Sequence, residues 1–260
     1  MLIMATQYRF RLTLPARFRA MAFSLGITAA VALAVAALVF SIWYPTPFRQ
    51  ISGGNDLFAI LVGADLVLGS IVTFVICDGR KPRHELIRDL LAVAFVQLSA
   101  LGYGIHSMYE ARPAVLALER DRVRVVRAAD LDESAMEKAP NGLRNLSMSG
   151  PLLVAAEDDP ADLFNSVMLA MNGHDIGTRP ERWLPPSETA REWSRGSRPV
   201  LTLATRYPDK KEALEKAVAA TGLPADRIGY LPLLARTTDW VVLVDISNGR
   251  IVGYAPCDGF

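Results

Sequence analysis

The stretch FRAMAFSLGITAAVALAVAALVFSIWY, residues Phe18 to Tyr44, decides how this chain is read, because beyond Arg19 it carries no charged residue. A helix needs roughly 20 consecutive apolar residues to cross hydrocarbon. Two further runs follow, LFAILVGADLVLGSIVTFVIC from Leu57 to Cys77 and LIRDLLAVAFVQLSALGYGIHSM from Leu86 to Met108. The basic flank of the first run, with small residues at Ala34 and Ala36, is also what a cleaved signal peptide offers. The run nevertheless continues through Val39, Phe40 and Ile42 into Trp43 and Tyr44, longer than a signal's apolar region and ending in an interfacial aromatic pair. The sequence therefore predicts an uncleaved anchor and three transmembrane helices.

The average composition, 51% hydrophobic with a net charge of +1, mixes two unlike parts. From Glu110 onward the chain is charged, proline-bearing and broken by turn residues, and its roughly 150 residues suffice for one modest globular domain. The expected fold class is a membrane protein with three transmembrane α-helices followed by a small α+β extracytoplasmic domain. Its divisions are residues 1–17 as an amino-terminal tail, 18–109 as the transmembrane domain and 110–260 as the outer domain. Basic residues near span ends stay on the cytoplasmic side. Arg9, Arg11, Arg17 and Arg19 precede the first span, and Arg80, Lys81, Arg83 and Arg88 lie between or just within the second and third, against Arg49 and Arg112 on the other side. That asymmetry predicts a cytoplasmic amino terminus in a bacterial inner membrane and a periplasmic carboxy-terminal domain.

Within the spans, Asp65 needs a partner or a cavity, since an ionisable group at such depth costs several kcal/mol on insertion scales. At about 1.5 Å per residue from the outer ends, Asp65 lies about 12 Å deep, Ser99 about 14 Å and Gln97 about 16 Å. The three form a candidate polar layer, serving either to pin the bundle internally or to meet a polar or positive group on another transmembrane helix. Gly63, Gly69, Ser70, Ser99 and Gly102 are the small residues expected to allow close helix approach. His106, near the outer end of the third run, reads as an interfacial polar residue. One acid at mid-depth and no internal repeat make a poor transport pathway.

In the outer domain, Ala114 to Leu118 and Val123 to Val126 read as strands, and Trp240 to Asp245 with Arg250 to Tyr254 flank a Ser247-Asn248-Gly249 hairpin turn. Asp159-Pro160 predicts the start of a helix with Leu163, Phe164, Val167 and Met171 on one face, closed by Asn172 and Gly173. A second helix is expected from Asp209 to Thr221 with Gly222 as its cap, and Asp130 to Gly150, with few apolar anchors, as loop. No catalytic constellation emerges, so enzyme activity is not expected. Glu157, Asp158 and Asp159 read as a solvated helix cap, His174 has no second ligand at metal spacing, and Ser147, Ser149 and Ser166 lack a nucleophile elbow. There is no phosphate-binding glycine loop and no basic face for nucleic acid, hence no expected cofactor or metal. Cys77 and Cys257 are expected too far apart to pair.

The ordered motifs resemble the TfpX/TfpZ family of type IV pilin accessory proteins nearly end to end. They are Trp43-Tyr44-Pro45 with Ser52-Gly53-Gly54, then Gly63-Ala64-Asp65-Leu66-Val67-Leu68-Gly69, then Asp89, Gln97-Leu98 and Tyr103-Gly104. They continue with Ala111-Arg112-Pro113, Asp121-Arg122, Gly229-Tyr230-Leu231-Pro232-Leu233, Val242-Leu243-Val244-Asp245 and Asn248-Gly249. The region from Asp130 to about Arg227 departs most from the family. The resemblance implies an inner-membrane accessory protein or chaperone that assists stability, assembly or display of a type IV pilin, with the pilin, the lipid bilayer and other pilus assembly proteins as partners. Arg112 and Asp121, flanking the first outer strand, are the candidate junction between domain and bundle, or a contact to the pilin head. A membrane-anchored periplasmic sensor or a structural protein unrelated to pili is the competing reading, though only short segments remain inside for an output module.

Overall fold

The computed structural model describes residues 2–76, 82–131, 133–157, 161, 163–235 and 240–260. Three long apolar helices and a mixed α/β region with a curled six-strand sheet make up the fold. The first helix, α1 (Leu2–Leu38), ends in a π-helical turn over Val39–Trp43. After the short α2 (Phe48–Ile51) come α3 (Gly54–Ile76) and α4 (Arg83–Glu110). Met21–Trp43, Gly54–Ile76 and His84–Glu110 are long and apolar enough to cross a membrane. Leu33, Ile60, Val75, Phe95 and Val96 lie between 65% and 72% exposed, a surface that water would not tolerate and lipid would. Cys77, with the basic residues Arg80 and Lys81, falls outside the described residues.

Pro113 cannot continue α4, and the chain turns there into strand β1 (Pro113–Glu119). The remaining elements are β2 (Arg122–Arg127), β3 (Leu152–Ala156), α5 (Leu163–Met171), α6 (Pro186–Gly196), β4 (Arg198–Pro199), α7 (Leu201–Arg206), α8 (Lys211–Ala220), β5 (Ile228–Leu234), β6 (Trp240–Asp245) and β7 (Arg250–Ala255). The sheet order is β3-β1-β2-β5-β6-β7, with the two-residue β4 beside β5. Pairs β1–β2, β5–β6 and β6–β7 are antiparallel, whereas β1–β3 and β2–β5 are parallel.

Both faces of the sheet are covered, which explains why β1 is buried at every position and why its sequence does not alternate. One face presents Leu116, Leu118, Val123, Leu231, Leu233, Val242 and Val244 to Trp193 of α6 and to Phe48 and Ile51. On the other face, Val115, Ala117, Val126 and Val154 pack on Trp183 and on Leu131, Met136, Ala139 and Leu143. Further along, Ile228, Tyr230, Val241 and Leu243 meet α7 and α8 through Leu203 and Leu214. The N–H groups of these two tryptophans are satisfied, Trp193 donating to the Val154 carbonyl and Trp183 to that of Gly177, each at 3.0 Å.

Two compact units divide the chain, and the loop between the first two spans belongs with the sheet. Residues Ile42–Gly54 join Glu110–Phe260, while Met1–Ser41 and Asn55–Tyr109 form the helical unit. Phe48 and Ile51 are 3% and 0% exposed, and the Phe48 ring meets Tyr254 edge-on at 5.5 Å. The segment from Asp130 to Gly150 is irregular as expected, with a 3₁₀ turn over Glu133–Lys138. It is nevertheless anchored by four buried apolar side chains, spaced too irregularly for a periodicity argument to register.

Of the expected outer elements, the β1–β2 hairpin, the β6–β7 hairpin and α8 form where the turn signals put them. Gly249 adopts φ +69° with the Ala190 carbonyl against it, so only glycine fits. Helix α5 forms as well, although its proposed start at Asp159-Pro160 falls outside the described residues. Its apolar face is turned outward: Phe164 and Met171 are 82% and 78% exposed.

Candidate functional site

The spacing of apolar residues in α3 gives that helix two working faces. Positions 57, 61, 64, 68, 72 and 76 recur every three or four residues and form one stripe. Phe58, Thr73 and Phe74 lie on another, which meets α1: Phe58 packs on Phe40 at 5.1 Å, Phe74 on Phe18 at 5.2 Å, and the Thr73 and Ser24 hydroxyls are 3.2 Å apart. The first stripe faces α4. There Gly104 receives Leu61, and Gly69 receives the Gln97 amide, in the space their missing side chains would fill. Gly63 and Gly102 have no such neighbour, so of the expected glycines Gly69 makes a close approach, and Gly104 supplies the other.

Between the stripes of α3 and α4 runs an open groove of about 690 Å³. It extends from Leu57 to Ile76 on α3, nineteen residues or about 29 Å of helix. That length matches the hydrocarbon thickness of about 30 Å. Its wall is apolar apart from Asp65 near the middle, Gln97 one turn nearer the Ile76 end, Asp89 at that end, and Tyr103 and Ser107 toward the other. Among the described lining residues there are two carboxylates and no Lys, Arg or His. Asp89 lies 3.8 Å from the guanidinium of Arg88, an exposed side chain. The Gln97 Nε2 is buried with no hydrogen-bond partner among the described residues, an unusual state for a strong donor.

Asp65 and Gln97 thus share the groove as neighbours one turn apart, whereas Ser99 is exposed on α4 and does not line it. Depth counting alone put Ser99 with them; helical phase separates it, since two residues from Gln97 is more than half a turn. His106 is likewise exposed.

Arg112 and Asp121 are not brought together. The β1–β2 register sets Pro113 opposite Arg127 and Glu119 opposite Arg122, so the two residues stand at opposite ends of a seven-residue strand, about 23 Å apart. Arg112 is 4% exposed, close enough to act on the Tyr44 hydroxyl, and its carbonyl accepts from the Ala128 N–H at 3.1 Å. Asp121 is exposed at the hairpin tip, 3.7 Å from Arg198. The buried ion pair of this hairpin is another one. Glu119, 5% exposed, accepts from Arg124 Nε at 2.9 and 3.0 Å and from the Gly177 N–H at 3.0 Å, while Arg124 reaches Asp175 at 2.9 Å.

Cys257 is buried, its thiol pKa pushed up by burial and by the nearby Asp258 and Asp209 carboxylates, which disfavours the nucleophilic thiolate. His174 is exposed, and no cluster of three or more His, Cys, Asp or Glu side chains able to hold a metal ion is found among the described residues.

Comparison with known proteins adds to this geometry. The chain is 31% identical to the serogroup I fimbrial assembly protein of Dichelobacter nodosus, over 96% of this chain and 98% of the relative. It is 31% identical to the serogroup E1 protein of the same organism, over 88% and 91% respectively. This chain belongs to the fimbrial assembly protein family. A third member, named for serogroups C1 and C2, is 35% identical over 46% of this chain and 91% of its own length. The family model described as fimbrial assembly protein FimB matches residues 13–53, which carry the first span and the loop that places Phe48 and Ile51 in the sheet core. No solved structure matches this family member.

Proposed function

We propose that this fimbrial assembly protein is an inner-membrane accessory factor, of the TfpX/TfpZ kind, that receives the transmembrane helix of a type IV pilin in the groove between α3 and α4. The observation that carries the reading is the groove itself, apolar over one membrane thickness and interrupted at mid-depth by Asp65. Helices in lipid associate through close packing and a few polar contacts. A wall with small residues and one acid therefore suits a single apolar helix that brings a positive or hydrogen-bonding group.

The pilin enters this account through its amino-terminal helix, which is apolar and bears a charged amino group. On this reading the loop charges orient the groove with its Ile76 end toward the cytoplasm and the sheet domain in the periplasm, beside the pilin head. Arg112 serves the fold of the sheet domain, consistent with its burial, and Asp121 with Arg198 stands exposed for contact. The role is one of binding and holding, with no catalytic step.

Co-purification tests it. With the full chain expressed beside its pilin, Asp65→Ala should reduce recovered pilin several-fold while the accessory protein still accumulates in the membrane. If pilin recovery is unchanged, or if Asp65→Ala abolishes accumulation of the protein itself, Asp65 is an internal structural residue and the client reading fails.

A further inference from the structure

Half-way along the groove, a hydrogen-bond donor and an acceptor stand in an otherwise apolar wall. Gly69 abuts the Gln97 amide, which fixes the level of Gln97 against α3. Asp65 lies four residues nearer the Leu57 end, so the two levels are about 6 Å apart along the helix axis. Their midpoint is level with Val67, within one residue of the centre of the lining from Leu57 to Ile76. The Gln97 Nε2 is a buried donor with no partner among the described residues. Asp65 has no charged or hydrogen-bonding neighbour among them, and both side chains line the groove. Unpaired polar groups at this depth are costly, which gives an incoming helix something to satisfy.

We infer that the groove selects single-span helices carrying a carboxamide side chain at mid-membrane, its oxygen accepting from Gln97 and its N–H donating to Asp65. The inference rests on the proposed function in taking the groove as a helix seat, and it adds which helices are accepted. The donor and acceptor inventory decides between chemistries. An amine only donates, so it meets Asp65 and leaves the Gln97 donor unpaired. An apolar side chain leaves both groups unpaired. A hydroxyl donates and accepts, but its two hydrogen bonds meet at one oxygen and reach across only about 5 Å. A carboxamide holds its donor and acceptor on separate atoms. With a hydrogen bond of about 2.9 Å on either side it spans about 8 Å, enough to bridge the two levels.

The test uses the full chain, labelled with a fluorescent donor, in phosphatidylcholine vesicles with acceptor-labelled Leu/Ala helices of about 22 residues. The probes differ only in their central residue, Asn, Ser, Lys or Leu, and a central residue meets the polar pair whichever way the helix inserts. Probe density is kept low enough that the helices remain monomeric. Energy transfer should report about tenfold tighter capture of the Asn probe than of the Leu probe, the gain expected of two hydrogen bonds at their modest strength in membranes. Ser and Lys probes should fall between. Moving the Asn two turns off centre should remove its advantage. Gln97→Leu, which keeps the side chain's bulk and deletes the unpaired donor, should cut the Asn preference and leave capture of the Lys probe unchanged. Equal capture of Asn and Leu probes by the wild-type chain, a result that needs no variant to fold, overturns the inference. So does tighter capture of Lys than of Asn, or a Gln97→Leu protein that keeps the full Asn preference. If pilin crosslinks into the groove while the probes are not discriminated, this inference falls and the proposed function stands. If the Asn probe is selected while pilin is not captured, the selectivity stands and the identity of the client falls.

Discussion

Truncating Phe48 to alanine should melt the sheet domain early, although Phe48 lies more than 60 residues before the first strand. Its ring is 3% exposed, sits among Leu116, Leu118, Val123, Leu231 and Leu233, and meets Tyr254 edge-on at 5.5 Å. Phe→Ala at such a site costs about 3–5 kcal/mol, the lost transfer energy plus a cavity that neighbours on a paired sheet cannot collapse to fill. Against a total of about 5–15 kcal/mol for a domain, that is a large share. For a unit of this size it corresponds to a fall in melting temperature of roughly 10 °C. Intrinsic fluorescence is a clean assay, because all four tryptophans, Trp43, Trp183, Trp193 and Trp240, belong to the sheet unit. Thermal melts of the detergent-purified full chain should show the shift for Phe48→Ala, and none for the exposed Gln50→Ala in the same loop. Equal melting of Phe48→Ala and the wild type would mean that the loop rests on the domain without completing its core, and would refute the reasoning.

Three other outcomes follow from the packing. Glu119→Gln should destabilise the sheet domain by about 2 kcal/mol, since it weakens charge-assisted bonds to Arg124 while leaving that arginine half-buried, and denaturant melts will read it. Asp245 is held below the ordinary carboxylate range by hydrogen bonds from the Ser247 side chain and backbone, assisted by Arg227. Its contribution is therefore complete above about pH 4 and lost as pH falls through the lower folded-state value, so acid melts of Asp245→Asn should start lower and be flatter than wild type below pH 4. Gly69→Leu should drive Gln97 out of its seat and part α3 from α4, measured as lost disulfide trapping between cysteines placed at Leu61 and Gly104.

Much of this fold was legible because the physics that made it is local. Three apolar runs had to be long helices, and Ser247-Asn248-Gly249 had to turn. The missed parts depend on contacts distant in sequence. Strands β3 and β5 gave no alternation because both faces of the sheet are buried. Phe48 and Ile51 read as loop residues, yet an aromatic and an aliphatic side chain three apart, just beyond a span, were the available signal that the loop enters a core. In the groove, depth along the helix was readable and found Asp65 and Gln97, but helical phase removed Ser99 and added Asp89. Arg112 and Asp121 flank one strand, as their sequence positions indicate, and a strand holds its two ends apart. The apolar stripe of α5 was sound periodicity, but which way it faces depends on what the rest of the domain leaves uncovered.

The central claim, that the α3–α4 groove holds a pilin helix, is tested most directly by photocrosslinking in living cells. A photoreactive amino acid at Leu68 or Val96, both groove-lining, should yield an adduct with pilin, while the same group at Val67 or Leu98, exposed but outside the groove, should not. Adducts of equal yield from all four positions, or from Val67 and Leu98 alone, would contradict the account.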